Sequence, residues 1–339
     1  MADEIAGDPG PEDADEPVEE GTRDGNASSP VTQLMAAPEE IWTMSEMEAA
    51  TPCNIIEVDE DAMAAELDAL APMVDEAGSQ TVEGGEPDDD EDATEPEPTA
   101  TSGGYNYPPP FTRYEVLGSY KTYPYRTMGK LFFKMGGTSF VCSAASIGGD
   151  AIWTAGHCVH AGNGKSSGWA TNVVFVPAYK DGAAPYGQWQ AKQLIVRTAW
   201  YKNGNPKGLC QDMGGAILHR KNGKKISQRV GWLGFAYGGN QFRHWDQFGY
   251  PAAAPFNGKR LITSQSSFAY FGSVGCSPNP VGVGSDLTGG SSGGPWILKF
   301  GTGNYLHGNN SYRRKTKLKE MFSPRFNKNA KSLFDALRK

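Results

Sequence analysis

The sequence predicts an all-β domain of the sandwich or barrel class, closed by one C-terminal helix and preceded by a disordered acidic segment. Charge divides the 339 residues into two unlike parts: residues 1–104 hold 31 Asp and Glu against the single base Arg23, a net charge near −30, whereas residues 105–339 hold 30 Lys and Arg against 8 acids, near +22. Short apolar stretches separated by Gly, Asn and Pro fill the second part, the pattern of many short strands. A single amphipathic stretch near the end has helical spacing.

The acidic segment has few aromatic residues and runs such as EPDDDEDATEPEP, so it cannot bury enough apolar surface to offset the entropy of ordering it. Within it, residues 60–73 repeat Met63, Leu67 and Leu70 at helical spacing, the pattern of a short docking helix or of a transient helix in a solvated tail. The basic part is long enough for a substantial core. Its strand candidates are GKLFFKM, SFVCSAASI, AIWTA, NVVFVPAY, AKQLIVR, GGAILH and VGWLGFAYG. Residues 324–338 place Phe326, Ala330, Leu333, Phe334 and Leu337 on one helical face, with Pro324 suited to the first turn.

No stretch approaches the roughly 18 apolar residues of a spanning helix, so no membrane partner is expected. The first residues lack the basic and apolar regions of a signal peptide. Cys142, Cys158, Cys210 and Cys276 all lie in the basic part, and an even count there suits an oxidised, exported domain. The cysteines point to a secreted protein. Cys53 is left over in the acidic segment.

The stretch DLTGGSSGGPW contains Gly290, Ser291, Ser292, Gly293, Gly294 and Pro295. Glycines around a serine leave room for backbone N–H groups to point at an oxyanion without Cβ atoms in the way. Ser292 is the candidate nucleophile, with the N–H groups of Gly290 and Ser292 as the oxyanion hole. A serine is a weak nucleophile without a base. TAGHC supplies His157 directly after a strand-like stretch, and QDMGGAIL supplies Asp212 to fix its tautomer and stabilise its imidazolium. The partner favoured for Cys158 is Cys142, whose bridge closes a loop of about 16 residues and stabilises by roughly 3 kcal/mol. Taken singly, each piece has a bland reading as a loop, a structural histidine or a turn cap. The order His, Asp, Ser on one basic all-β chain favours the catalytic one.

These motifs resemble the trypsin/chymotrypsin-like serine peptidases, closest to the V8-like branch of glutamyl endopeptidases. The resemblance covers nearly all of residues 118–338, through YPYRTMGKLFF, TAGHCV, FVPAYKDGAAPYGQW, DMGGAIL, FGYPAAAPF, DLTGGSSGGPW, NNSY and MFSPRF. It implies two perpendicular β-barrels with the triad His157, Asp212 and Ser292 between them, cleaving peptide bonds through an acyl-enzyme. The implied layout is a first barrel over about 118–225, a second over about 226–318 and a helix over about 324–338. Two departures stand out. Ser291 replaces the Asp that precedes the nucleophile in trypsin, which removes that activation switch. Ser285 stands where members of the branch carry a Cys, leaving Cys210–Cys276 as the second bridge.

Asp286, six residues before Ser292, has the offset of the carboxylate at the base of a trypsin-like S1 pocket, which favours Arg or Lys at P1. The same Asp also suits a cap on its own loop. A glutamyl preference would want a histidine, and His307, the local candidate, is expected to fall too early to reach the pocket. Ser311 is expected at the strand position that pairs with substrate. Arg113 lies where an enzyme specific for basic residues would free itself, so residues 1–113 are expected to be a pro-segment bound by charge to the peptidase domain 114–339.

The basic runs HRKNGKK and YRRKTKLK lack the interleaved aromatics of a nucleic-acid platform. They are expected to be a solvated face or a partner for the acidic segment. No cofactor is expected. The remaining histidines show no metal-ligand spacing, so no metal is expected either, and a monomer is. Sequons occur at Asn26 and Asn309, the second beside the cleft if Ser311 lines it. The rival reading is a catalytically silent module of the same fold that binds polyanions through its basic face.

Overall fold

A computed structural model describes residues 22–23, 25–31, 41–59, 80–82 and 109–339. The docking-helix candidate at residues 60–73 lies outside the described residues. Strands follow one another along the chain. The acidic segment contributes β1 (Thr22–Arg23), β2 (Asn26–Ser28), helix α1 (Met44–Ala49), β3 (Thr51–Pro52), β4 (Ile56–Val58) and β5 (Gln80–Val82), and β6 (Thr112–Glu115) leads into the basic domain.

The first half of the domain is built from β7 (Met128–Met135), β8 (Thr138–Gly148), β9 (Ala151–Thr154), β10 (Thr171–Pro177), β11 (Trp189–Arg197) and β12 (Gly214–Leu218). These pair in the order β11, β10, β7, β8, β9, β12, and a further β11–β12 ladder closes the ring into a six-stranded barrel. Alternation alone does not explain β7 and β8. Most of their residues are buried on both faces, because one face fills the barrel around Leu131, Cys142 and Phe175 and the other meets the second half through Phe132, Val141 and Ile147.

Two short helices, α2 (Thr198–Asn203) and α3 (Ile226–Val230), lead to the second half. It consists of β13 (Gly234–Tyr237), β14 (His244–Gly249), β15 (Ile262–Phe271), β16 (Val281–Gly284), β17 (Pro295–Leu298), β18 (Tyr305–Asn309), β19 (Tyr312–Arg314) and β20 (Lys317–Ser323). Their sheet runs β19, β20, β16, β15, β14, β17, β18, β13, with no closing ladder among the described residues.

The C-terminal helix α4 spans Lys328–Arg338. It starts later than the sequence pattern suggests. Asn327 caps it, its side chain accepting from the Asn329 N–H at 2.9 Å, and Pro324 falls in the lead-in rather than the first turn. Leu333, Phe334 and Leu337 are buried on its inner face. Phe334 stacks on Phe235 at 4.2 Å between ring centroids, so the helix bridges the two halves. Each such side chain stabilises by about 1.5–3 kcal/mol when fully buried.

The acidic segment adds strands to both halves. The β2 strand pairs with β11, β3 with β8, β4 with β19 and β5 with β13. Trp42 is fully buried against Phe132, and a capping box of Thr43 and Glu46 starts α1 just after it.

Candidate active site

His157 stands in a single 3-10 turn, Gly156–Cys158, immediately after β9. The turn is fastened to β8 by the Cys142–Cys158 disulfide, with Cα atoms 6.3 Å apart. Asp212 follows another such turn, Leu209–Gln211, and precedes β12. The Cys210–Cys276 disulfide ties that turn to the second half. Both expected bridges are therefore present.

Asp212 is fully buried, a costly place for a carboxylate without partners. Three donors surround it. Its Oδ2 lies 2.7 Å from His157 Nδ1 and accepts from Ser311 Oγ at 2.6 Å, while its Oδ1 accepts the His157 backbone N–H at 2.8 Å. Two of the three contacts fix the histidine through ring and backbone together. Burial works against a proton on His157, but the Asp212 carboxylate and then the Cys53 thiol outweigh it and raise its pKa.

The Ser292 turn is shaped by its glycines. Gly290 and Gly293 have φ of +91° and +77°, values that strain any residue with a Cβ. A Cβ on Gly293 would clash with Thr154 Oγ1, Ala155 N and Ser143 O, so the absent side chain lets the turn press against the residues leading to His157. Ser143 holds the turn, its N–H donating to Ser292 O at 2.8 Å and its Oγ to Gly290 O at 2.9 Å. Asn310 Nδ2 donates to the carbonyls of Ser291 and Phe248, both at 2.9 Å. Ser292 Oγ and His157 Nε2 are both buried without a hydrogen-bond partner among the described residues.

The Ser311 hydroxyl supports Asp212 by donating to its Oδ2. Asp286 is held by Arg113 of β6, Nη1 to Oδ2 at 2.5 Å. Arg113 thus lies in a strand, paired with Ser264 of β15. His307 is buried, stacked on Trp245 and accepting its indole N–H at 3.2 Å, and burial lowers its pKa to about 3. That neutral ring is committed within the core. The sequon side chains are committed too: Asn26 accepts from Arg197, and Asn309 joins Trp153 Nε1 to the Asp212 carbonyl.

Cys53, the odd cysteine of the acidic segment, sits beside these groups. Its thiol, Cys142 Sγ and a His157 ring nitrogen lie within 4.8 Å of one another. Its carbonyl accepts the Gly290 N–H at 2.8 Å. Cys142 is spent in its disulfide, which leaves Cys53 as the free thiol of the three. Ser143 and Asn310 have no signature of their role at the serine turn in the local sequence. An unpaired cysteine was the one available signal.

The two-part β fold, with a glycine-shaped serine turn packed against the histidine loop, defines the class as chymotrypsin-like serine protease. The protease Anisep from Arthrobacter nicotinovorans is 35% identical, with a TM-score of 0.57 over 63% of this chain and 95% of that one. The thermostable serine protease AL20 from an extremophilic microorganism is also 35% identical, with a TM-score of 0.56 over 62% of this chain and 97% of that one. A Glu endopeptidase shares the fold at 17% identity and a TM-score of 0.52, over 67% of this chain and 97% of that one. No protein-family model matches the chain, and no curated protein matches it. The chain belongs to the chymotrypsin-like serine proteases.

Proposed function

We propose that the protein is a secreted serine endopeptidase acting on protein or peptide substrates, with His157, Asp212 and Ser292 as its triad. The observation that carries this reading is the fully buried Asp212, bonded to both the ring and the backbone of His157. Ser292 Oγ attacks the scissile carbonyl carbon and its proton passes to His157 Nε2. Asp212 stabilises the imidazolium, and the Gly290 and Ser292 N–H groups receive the oxyanion. Collapse breaks the C–N bond as His157 protonates the leaving nitrogen. Water, deprotonated by His157, then hydrolyses the acyl-enzyme.

Arg or Lys is the proposed P1 residue, recognised by Asp286. The guanidinium of Arg113 supports this, since it brings to Asp286 the group that a basic substrate would bring. Residues 1–113 are proposed as a pro-segment, and the two disulfides support an oxidising compartment. The test treats the folded, disulfide-bonded chain, before and after limited proteolysis of the acidic segment, with a fluorophosphonate probe and then a mixed peptide library. Labelling of Ser292 with cleavage after Arg or Lys is expected. Cleavage after Glu alone overturns the specificity, and the absence of labelling in both forms overturns the triad.

A further inference from the structure

Residues 51–58 cross the cleft from the first barrel to the second. At one end Thr51 and Pro52 pair in parallel with Phe140 and Val141 of β8, and the Cys53 N–H donates to Val141 O at 2.9 Å. In the middle the Cys53 carbonyl accepts the Gly290 N–H, and Asn54 lies against Gly289. At the other end Ile56, Glu57 and Val58 pair in parallel with Tyr312, Arg313 and Arg314 of β19. Glu57 there meets the Arg313 guanidinium at 2.7 Å. Ile55 and Val58 are buried, so the segment is seated by apolar contacts as well as backbone bonds.

The direction of this crossing decides its chemistry. In peptide hydrolysis the base returns its proton to the leaving nitrogen, so the substrate chain beyond the scissile bond must lie on the side of the histidine. His157 and the Cys142–Cys158 bridge belong to the first barrel. A productive substrate therefore enters along the second barrel and leaves along the first. Residues 51–58 run the other way: the carbonyl on Gly290 belongs to Cys53, and the nitrogen bonded to it, that of Asn54, continues toward β19. What stands beside the imidazole is the Cys53 thiol.

We infer that residues 51–58 are a built-in inhibitor bound in the direction opposite to a substrate, the Cys53 carbonyl occupying the Gly290 N–H and the Cys53–Asn54 bond turned away from the base. This rests on the assignment of His157, Asp212 and Ser292 above. Reverse polarity explains how a segment can fill the oxyanion site of a peptidase and survive there. It also gives part of the basic run YRRKTKLK a role, because Arg313 anchors the acidic end of the inhibitor. Neighbouring Arg314 is committed to a buried cluster with Glu320 and Tyr270.

The test uses the full chain and follows the rate at which a fluorophosphonate labels Ser292, read by mass spectrometry. Wild type is expected to label slowly. Glu57→Lys, at a half-exposed position, and Ile55→Asp, at a buried one, are expected to label at least tenfold faster. The charge swap Glu57→Lys with Arg313→Glu is expected to return toward the wild-type rate, and the Cys53–Asn54 bond is expected to stay intact through prolonged incubation. Wild type labelling as fast as Glu57→Lys, or cleavage between Cys53 and Asn54, overturns the inhibitor. Absence of labelling in every form, with both disulfides intact, overturns the triad itself and the inhibitor with it.

Discussion

The backbone N–H of Gly290 donates to the carbonyl oxygen of Cys53 at 2.8 Å. One donor of the proposed oxyanion hole is thereby filled from within the chain, by a residue that lies 237 positions earlier in the sequence. The contact joins the acidic segment to the chemistry of the cleft through a specific hydrogen bond, beyond the general attraction between opposite charges.

Removing Asp212's charge tests the base. Asp212→Asn preserves the shape of the site but offers His157 the wrong tautomer, and turnover of the processed enzyme is expected to fall about 10⁴-fold. Steady-state kinetics on a peptide substrate checks it. A loss below tenfold contradicts the role of Asp212.

The proton on His157 gives a pH signature. Burial disfavours the imidazolium, whereas Asp212, followed by Cys53, favours it and wins, so the folded pKa lies above the unfolded value near 6.5. A raised folded pKa contributes stability that is complete below about pH 6.5 and is lost as pH rises through the folded value. The destabilisation caused by Asp212→Asn is therefore expected to shrink as denaturant titrations move from pH 6 to pH 9. A gap that stays constant contradicts the linkage. Cys53→Ala is expected to lower the His157 pKa in the full chain, as read by NMR titration.

Gly293 tests why the serine turn is built from glycine. Gly293→Ala combines a positive φ with clashes against Thr154 and Ala155. Backbone strain and overpacking each cost about 1–3 kcal/mol, and thermal unfolding is expected to show a loss in the range of their sum. Gly301, also at positive φ but with nothing near its Cβ position, serves as the control and is expected to lose less. Equal losses contradict the packing account.

Asp286 tests specificity. Asp286→Asn is expected to reduce kcat/KM for Arg and Lys substrates at least 100-fold while changing stability by no more than about 1 kcal/mol, because its pairing with Arg113 is partly exposed. Unchanged cleavage after Arg and Lys returns Asp286 to the role of a loop cap.

The sequence made the first barrel legible, since β7 to β12 are apolar stretches bounded by Gly, Asn and Pro. The second half was harder to read. Its strand β15, ITSQSSFAYF, carries polar residues at buried positions, and β16, VGVG, has few side chains to show a period. Ser264 and Thr263 are buried there because the backbone ladder, with β6 on one edge and β14 on the other, carries the pairing that side-chain pattern would otherwise advertise. The proposed triad of His157, Asp212 and Ser292 rests in the sequence on local motifs alone. Ser143 and Asn310 were not, because each acts through long-range contacts with the serine turn that a local window cannot contain. The position of Cys53 was not legible for a related reason: composition describes the acidic segment as a whole, whereas the eight residues 51–58 within it pair with both halves of the domain.

The most direct measurement is peptide mapping by tandem mass spectrometry after a fluorophosphonate reacts with the full chain carrying Glu57→Lys. One adduct per chain on Ser292, abolished by Ser292→Ala and by His157→Ala, is the expected result. Folded protein with both disulfides and no adduct, or an adduct on Ser291 or elsewhere, contradicts Ser292 as the nucleophile.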